Sequence, residues 1–484
     1  MQLTAIQRIV GLLLMLFSTT MLPPLLVSVI SADQLHIPFM LAFALTFSTG
    51  MFAWLPVRNM RKELRLRDGF MVVVLFWTVL GLFGALPFAI GDQPHLSITD
   101  AVFESISGLT TTGATVITGI DHLPPSILYY RQQLQWLGGM GIIVLAVAIL
   151  PMLGIGGMQL YRAETPGPMK DNKLTPRITE TAKALWYIYL GLTVSCALAY
   201  WIAGMSFFDA IGHSFSTVAI GGFSTHDASM GFFHEQPLIE VVAIIFMLLS
   251  GVNFALHFIA WRGASLRPYF LDSELRTYIT VLGVIAVITT SFLYMNKTFE
   301  DFSHALLHGV FQVVSIGTTA GFTTSNYALW PGFLPVLLLF ASFVGGCAGS
   351  TGGGMKVIRF LLLLKQGMRE IARLIHPNAV IPIKVGGKVL PDRVIDSVWG
   401  FFATYVAIFS IIMLLLMMTG LDQVTAFSAV AATMNNLGPG LGDVALHYAN
   451  LSDFAKWILC FAMLLGRLEI FTLLVLLTPT FWRK

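Results

Sequence analysis

Four short segments of this sequence share a pattern that could coordinate a cation. Each is a six-residue stretch containing one aligned glycine, and the four align without a gap: Leu109–Ala114, Val218–Phe223, Gly317–Phe322 and Met434–Pro439. An apolar stretch too short to cross a bilayer precedes each segment. A half-helix that ends at membrane depth is stable only where it is buried in protein or lines water. Backbone carbonyls exposed at such an end can replace the water shell of a cation.

The aligned positions predict stacked rings of four carbonyl oxygens. We expect backbone ligands, because the side chains at equivalent levels differ in polarity, and such ligands favour a weakly hydrated monovalent ion over Ca²⁺. Four helix C-termini converging on one point would add negative potential there. The aligned glycine would supply backbone angles that other residues resist. The predicted filter residues are Thr111, Thr112, Gly113, Ile220, Gly221, Gly222, Thr318, Thr319, Ala320, Gly321, Asn435, Asn436, Leu437 and Gly438.

The composition indicates the scaffold that must position these segments. Hydrophobic residues make up 56% of the chain and charged residues 11%, which excludes an ordinary soluble domain. Apolar runs near twenty residues occur along the whole length, as in a polytopic membrane protein. The three cysteines all lie in apolar stretches, which argues against a disulfide framework or a metal cluster. The predicted spans cover about 9–30, 37–56, 70–90, 127–158, 183–203, 237–261, 277–295, 331–364, 395–419 and 454–480.

The charges between the spans predict an orientation. The connections 57–69, 159–182, 262–276 and 365–394 are rich in lysine and arginine, whereas the alternate connections hold a single base, Lys297. Basic connections stay on the cytoplasmic side, so we expect both termini in the cytoplasm. The opposite side carries an excess of acidic residues, which would raise the local concentration of cations. A merely solvated acidic rim is the alternative.

The order of the elements predicts a repeated architecture. A unit of span, half-helix, polar loop and span occurs four times after an N-terminal prefix of two spans. We therefore predict an all-α membrane protein with pseudo-fourfold symmetry. Parallel repeats with every loop on one side fit a channel-like permease, whereas inverted repeats would indicate a secondary transporter. The predicted boundaries are 1–66 for the prefix and 67–165, 166–263, 264–380 and 381–484 for the repeats.

One predicted span is interrupted by glycines. As one helix, 331–364 would be ~52 Å long at ~1.5 Å per residue, against a hydrocarbon core of ~30 Å. We predict a non-helical intramembrane gating loop over 345–354. A tightly packed, kinked glycine-rich helix is the alternative, and a nucleotide-binding loop is disfavoured because Lys356 lacks the flanking residues of that motif. The predicted gate residues are Gly345, Gly346, Gly349, Ser350, Thr351, Gly352, Gly353 and Gly354, together with Arg467.

Arg467 lies about eleven residues into the last span, counted from Lys456. An arginine at that depth costs roughly 2.5–3.5 kcal/mol on insertion scales, so it should face the protein interior or water. We expect it to lie below the filter, to repel cations and to bind carbonyls of the gating loop. A structural ion pair is the alternative, although Glu469 is poorly placed for it on the same helix.

Other polar residues are less informative. His304 and His308 have a spacing that can bind zinc, but no third ligand is evident. Arg131, Gln132, Gln133 and Gln135 are expected to form hydrogen bonds between repeats. We find no nucleophile–base pair, nucleotide fold or nucleic-acid module in the sequence. We therefore expect no enzymatic activity, no bound organic cofactor and no nucleic-acid partner.

The four filter segments resemble those of the Trk/Ktr/HKT superfamily of potassium transporters. Further stretches resemble its bacterial TrkH-type membrane subunits, and the likeness covers the whole chain: Gln135–Gly141, Tyr161–Pro166, His376–Ala379 and Leu477–Trp482. In that superfamily the filter glycines distinguish potassium-selective members from sodium-permeable ones that have serine in the first position. All four are glycine here, and the fourth segment, with Asn435, Asn436 and Pro439, departs furthest from a potassium-channel filter.

The resemblance implies potassium uptake across the bacterial inner membrane, with K⁺ as the transported ion. It also implies an intramembrane gating loop, a pore arginine and a homodimer in lipid. The homodimer would dock on a cytosolic, nucleotide-binding regulatory subunit of the TrkA type. An alternative on the same scaffold is a symporter that couples K⁺ to H⁺ or Na⁺.

Overall fold

The structure is a computed structural model that describes residues 1–59, 65–141 and 178–483. The described residues are mostly helical, with almost no strand. The helices that begin before residue 142 are α1 Leu3–Ser18, α2 Leu22–Ser31, α3 His36–Trp54, α4 Leu66–Gly84, α5 Leu86–Ile90, α6 Ile98–Leu109 and α7 Pro125–Trp136. Those from 178 to 344 are α8 Ile178–Ile202, α9 Phe207–Ala219, α10 Pro237–Ser250, α11 Phe254–Arg262, α12 Arg267–Leu271, α13 Ser273–Met295, α14 Phe302–Gly317 and α15 Leu334–Val344.

The remaining helices are α16 Val357–Ile375, α17 Asp392–Met418, α18 Gln423–Met434, α19 Asp453–Arg467, α20 Phe471–Leu477 and α21 Pro479–Trp482. A small hairpin of β1 Lys384–Val385 and β2 Lys388–Val389 interrupts the helical pattern. Its turn is Gly386–Gly387, with φ of 56° and 78°, and two consecutive residues at positive φ are typical of a tight hairpin turn. This hairpin was not predicted from the sequence.

The four predicted half-helices are present as α6, α9, α14 and α18, and they contain 12 to 16 residues each. Three of them begin at a polar residue whose side chain accepts a backbone N–H of the first turn. These N-caps are Ser97, Ser206 and Asp422. The caps satisfy N–H groups that have no partner within the helix, so each helix can start abruptly.

Several predicted spans are broken rather than continuous. The described residues contain six helices long and apolar enough to cross a membrane, or eight if each of two bent pairs counts as one span. The predicted span 237–261 bends by 92° between α10 and α11, and the span 454–480 bends by 116° between α19 and α20. Each stretch was predicted as one span, without the break within it. Asn253 caps α11 with its side chain, which stabilises a new helix start at the first bend.

The glycine-rich break in 331–364 is present. Helix α15 ends at Val344 and α16 begins at Val357, so the non-helical loop extends two residues beyond the predicted 345–354. The alternative of a continuous kinked helix is therefore wrong. The predicted span 127–158 is helical through Trp136 and continues as a π-helical turn, Leu137–Gly141; its remainder and the stretch Tyr161–Pro166 lie outside the described residues.

The N-terminal prefix packs through a contact between small residues. Helices α1 and α3 cross so closely that a Cβ on Gly11 would lie 2.8 Å from the carbonyl oxygen of Gly50, and a Cβ on Gly50 would lie equally close to that of Gly11. Small residues at a crossing let two helix backbones approach. Leu13, Phe17 and Phe39 are buried in the same main core as the first half-helix.

The outer surface of the spans is apolar. Ile30, Val287 and Met418 are 85%, 67% and 82% exposed. A soluble protein rarely presents so much contiguous apolar surface, whereas lipid tails cover it without cost.

The repeat boundaries proposed from the sequence stay predictions.

Candidate ion filter and gate

The four loops that follow the half-helices meet in a closed ring. A Cβ on Gly113 would lie 2.1 Å from the carbonyl oxygen of Gly221, and one on Gly222 would lie 2.2 Å from that of Ala320. A Cβ on Gly321 would lie 2.0 Å from the Leu437 oxygen, and one on Gly438 2.6 Å from the Thr112 oxygen. Each glycine thus abuts the carbonyl that precedes the glycine of the next loop. The fourth loop returns to the first, so the loops surround a common centre.

The loops share one backbone conformation. Two residues before each glycine the chain adopts a positive φ, at Thr111 (55°), Ile220 (54°), Thr319 (72°) and Asn436 (54°). The glycines have φ of 80°, 80°, 81° and 94°. Left-handed angles are unfavourable for residues with a side chain, and isoleucine is among the least tolerant. Such strain persists only where the surrounding structure requires it.

Several side chains of the predicted filter form hydrogen bonds with other residues of the protein. Asn435 donates to the Ser342 hydroxyl at 2.9 Å and accepts from Tyr405 at 2.7 Å. Asn436 donates to the Thr112 hydroxyl at 2.9 Å and to the Met463 carbonyl at 3.0 Å. These amides brace the loops against neighbouring helices. The departure of the fourth segment from the other three therefore has a structural role.

Polar residues of α7 hold the second loop from behind. The Gln135 amide donates to the Gly221 oxygen at 2.5 Å and accepts from the Phe223 N–H at 3.0 Å. Gln132 donates to the Phe223 oxygen. Arg131 donates to the Ser224 oxygen at 3.1 Å and forms a buried ion pair with Glu104 at 2.8 Å. The predicted hydrogen bonds to a neighbouring repeat are confirmed for these three side chains.

Gln133 differs from its neighbours on α7. Its side chain donates to the carbonyl oxygen of Thr20 at 2.6 Å. Thr20 belongs to the N-terminal prefix, so the expectation of a contact between repeats was wrong for this residue. The four polar residues lie on more than one face of α7, and the face presented by Gln133 meets the prefix.

The glycine-rich loop 345–356 lies against the ends of three half-helices. Gly353 N–H donates to the Thr319 hydroxyl at 2.7 Å, and Gly354 N–H donates to the Asn435 oxygen at 3.0 Å. The Thr351 hydroxyl donates to the Val218 oxygen at 2.9 Å. These acceptors belong to the second, third and fourth filter segments or to the half-helix residue beside them. The loop therefore lies on the helix side of the carbonyl ring.

Glycine is required at the centre of this loop. A Cβ on Gly353 would lie 2.0 Å from the Asn435 oxygen, and one on Gly345 would lie 2.2 Å from the Gly353 oxygen. The loop also bonds to the bend between α10 and α11, where Cys347 N–H donates to the Gly251 oxygen at 2.9 Å and Phe254 N–H to the Gly349 oxygen at 3.0 Å. The two irregular backbone segments thus satisfy each other's hydrogen bonds.

The glycine-rich loop contacts the second, third and fourth filter segments, and Arg467 contacts the first. Its guanidinium donates to the Thr111 hydroxyl at 3.2 Å, to the Gly139 oxygen at 2.7 Å and to the Gly138 oxygen. The π-helical turn exposes these two carbonyls, because the backbone bonding pattern changes there. Glu469 forms an ion pair with Arg359.

Two further cations near the loop were missed in the sequence. Lys356 ends the loop at φ 76° and donates to the Gly352 oxygen. Arg359, in the first turn of α16, stacks on the Phe401 ring with its guanidinium carbon 4.3 Å from the centroid. The sequence signal that could have indicated their role is that two basic residues, Lys356 and Arg359, follow directly after a glycine-rich stretch.

One histidine of the pair considered for zinc, His308, is bound to other protein groups. His308 is hydrogen-bonded to the Thr324 hydroxyl at 3.0 Å and lies 3.4 Å from the buried Glu240 carboxylate. Within the described ranges, no group of three or more His, Cys, Asp or Glu side chains is arranged to hold a metal ion. A zinc site at His304 and His308, which was disfavoured from the sequence, gains no support from these contacts.

A cluster of His226, Asp121 and Asp209, here called the latch, joins the first two loops on the side away from the gating loop. His226 contacts Asp121 at 2.6 Å and lies 3.7 Å from Asp209, and its ring stacks on Phe232 at 3.5 Å. Asp227 accepts the N–H groups of Gly119 and Asp121, and the ring of His213 lies 6.4 Å from that of His226. Burial lowers the pKa of His226, but the hydrogen bonds and charges of Asp209 and Asp121 outweigh it and raise that pKa above 6.5.

The latch should make stability depend on pH. A raised histidine pKa contributes stability that is fully present below the ordinary value of 6.5 and is lost as pH rises through the folded-state value. We expect His226 to contribute more to the unfolding temperature of the detergent-solubilised protein at pH 6 than at pH 8.5. The loss of unfolding temperature in His226→Gln should therefore be larger at pH 6, and His234→Gln, which replaces a nearby exposed histidine, should show no such difference. An unchanged pH dependence in His226→Gln would contradict the latch.

The comparisons with known proteins agree with this architecture. A family model described as TrkH, cation transport protein, matches residues 35–484. The Trk system potassium uptake protein TrkH of Halomonas elongata is 61% identical over 484 residues, covering all of both chains. TrkG of Escherichia coli, named for the same system, is 45% identical over 475 residues, which are 98% of this chain and 97% of that one. The crystal structure of the potassium transporter TrkH from Vibrio parahaemolyticus covers both chains fully, with 58% identity and a TM-score of 0.91. The chain therefore belongs to the TrkH family.

Proposed function

We propose that this protein conducts K⁺ into the cell across the bacterial inner membrane through one central pore. The observation that carries the proposal is the closed ring of four loops, in which the carbonyls of Thr112, Gly221, Ala320 and Leu437 each abut the glycine of the preceding loop in the ring. Four helix C-termini add negative potential at that point. The relatives are named as potassium uptake proteins, and carbonyl rings of this kind suit a dehydrated monovalent cation.

The gating loop and Arg467 together close the pore in this proposal. The loop bonds to residues of the second, third and fourth segments, and Arg467 bonds to Thr111 of the first. All four segments are thus engaged on the helix side of the filter. A K⁺ ion that left the filter would meet both a backbone obstruction and a fixed positive charge. Opening would require the loop to leave Thr319 and Asn435.

Regulation would come from another chain. The relatives' name, Trk system, denotes a system of components, and the sequence predicts basic cytoplasmic connections that suit an acidic soluble partner or anionic lipid headgroups. We propose a homodimer with cytoplasmic termini, docked on a nucleotide-binding regulatory subunit of the TrkA type. Two parts of the basic connections, 60–64 and 159–177, lie outside the described residues.

The test is K⁺ flux in liposomes with the membrane potential clamped. We expect flux in either direction, with a reversal potential that follows the K⁺ gradient alone and is unaffected by imposed gradients of H⁺ or Na⁺. A reversal potential that shifts with the H⁺ or Na⁺ gradient would instead support the coupled symporter. Absence of K⁺ flux in Gly353→Ala as well as wild type would contradict potassium conduction.

A further inference from the structure

We propose that Glu274 is the positioning residue that holds the gating loop closed. The proposal rests on the gating role inferred above for residues 345–356. Glu274 lies in the first turn of α13, outside the filter and far in sequence from the loop. Its carboxylate oxygen Oε1 accepts two backbone N–H groups, from Ala348 at 2.7 Å and from Ile358 at 3.2 Å.

The two donors lie on either side of the loop segment that touches the filter. Ala348 precedes Thr351, Gly353 and Gly354, which bond to filter segments, and Ile358 follows them. One carboxylate therefore fixes both flanks of the segment and sets the distance between them. The central residues can remain under the filter only while these flanks are held together.

The Ile358 N–H is one of the first amide groups of α16, which have no acceptor within the helix. A carboxylate at a helix N-terminus is stabilised by the helix dipole. Hydrogen bonds to a charged acceptor are roughly twice as strong as those to a neutral one. Glu274 thus accepts both bonds through one oxygen, and when its carboxyl group is ionised a glutamine in its place would keep the shape while weakening both bonds.

The structure supplies a matched control beside Glu274. Asp272 is the N-cap of α13 and accepts the Leu275 N–H at 2.7 Å. Replacing Asp272 by alanine removes a helix cap from the same turn without removing the acceptor for Ala348 and Ile358. Any effect that arises only from loosening the start of α13 would therefore occur in Asp272→Ala as well.

The experiment measures basal K⁺ flux of the full-length chain in liposomes at clamped potential, without a cytosolic subunit. We expect flux to rise roughly tenfold in Glu274→Ala and less in Glu274→Gln, because removing charge-assisted hydrogen bonds shifts the closed–open equilibrium. The K⁺ to Na⁺ permeability ratio should not change, since Glu274 does not touch the filter. Asp272→Ala should show wild-type flux.

A second measurement uses a native thiol. Cys347, next to Ala348, is 1% exposed, and Cys196 and Cys460 are also buried. In a Cys196→Ser, Cys460→Ser background we expect Cys347 to react faster with a water-soluble maleimide in Glu274→Gln than in the protein with Glu274. This readout stays informative if Glu274→Ala does not fold.

Gly353→Ala separates the outcomes, because its Cβ cannot coexist with the closed loop. Increased flux in Gly353→Ala but not in either Glu274 variant would overturn the role of Glu274 and leave the gate intact. Increased flux in none of them would overturn the gate itself, and with it the proposal for Glu274. Equal increases in Asp272→Ala and Glu274→Gln would also overturn the proposal.

Discussion

Gly113→Ala should lower the K⁺ to Na⁺ permeability ratio by roughly tenfold or more, which corresponds to about 1.4 kcal/mol. The added Cβ would lie 2.1 Å from the Gly221 oxygen, so that the carbonyl must move. The backbone at Gly113 has φ 80°, which an alanine adopts only with strain. Because four carbonyls define one site, displacement of one changes the field at the ion. Reversal potentials measured with K⁺ on one side and Na⁺ on the other give the ratio.

The matched control is Gly119→Ala, six residues along the same loop. Gly119 also has a positive φ, 73°, but a Cβ there would meet nothing within 4 Å. This variant therefore carries the backbone strain without the contact to the neighbouring loop. It should keep the wild-type permeability ratio. Equal loss of selectivity in both variants would show that strain in the loop, and not the ring of carbonyls, determines the preference for K⁺.

The closed ring of four glycine loops could be predicted from the sequence because its geometry depends on a local requirement. A positive φ beside a close backbone contact demands glycine at Gly113, Gly222, Gly321 and Gly438, so the requirement leaves a visible mark in each segment. The interrupted helix α15–α16 was predictable for the same reason. Glycines that a helix disfavours are informative wherever they cluster.

The contacts that brace the filter and gate could not be predicted in this way. Glu274 meets Ala348 across 74 positions, and Arg467 meets Gly139 across 328. Neither pairing has a periodicity or spacing that a single sequence displays. The bend between α10 and α11 left a weaker signal, Gly251 followed by the N-cap Asn253, in a stretch otherwise apolar enough to be taken for one straight span.

Arg467→Ala should raise basal K⁺ flux more than any other single substitution considered. A fixed charge about 5–8 Å from an ion costs roughly 2–3 kcal/mol at an effective dielectric constant near 20. Removing it should increase the rate of ion exit by roughly 30- to 160-fold if exit limits flux. The guanidinium also braces Thr111 and the carbonyls of Gly138 and Gly139, so its loss frees the first segment as well.

Arg467→Lys separates charge from bracing. Lysine keeps the positive charge but cannot reproduce the planar fork that reaches Thr111 and Gly139 together. If repulsion of the ion is the main effect, flux in Arg467→Lys should stay near the wild-type value while Arg467→Ala conducts freely. If bracing dominates, both variants should conduct. Wild-type flux in Arg467→Ala, in protein that unfolds at the wild-type temperature, would remove Arg467 from the gate and leave the loop 345–356 as the obstruction.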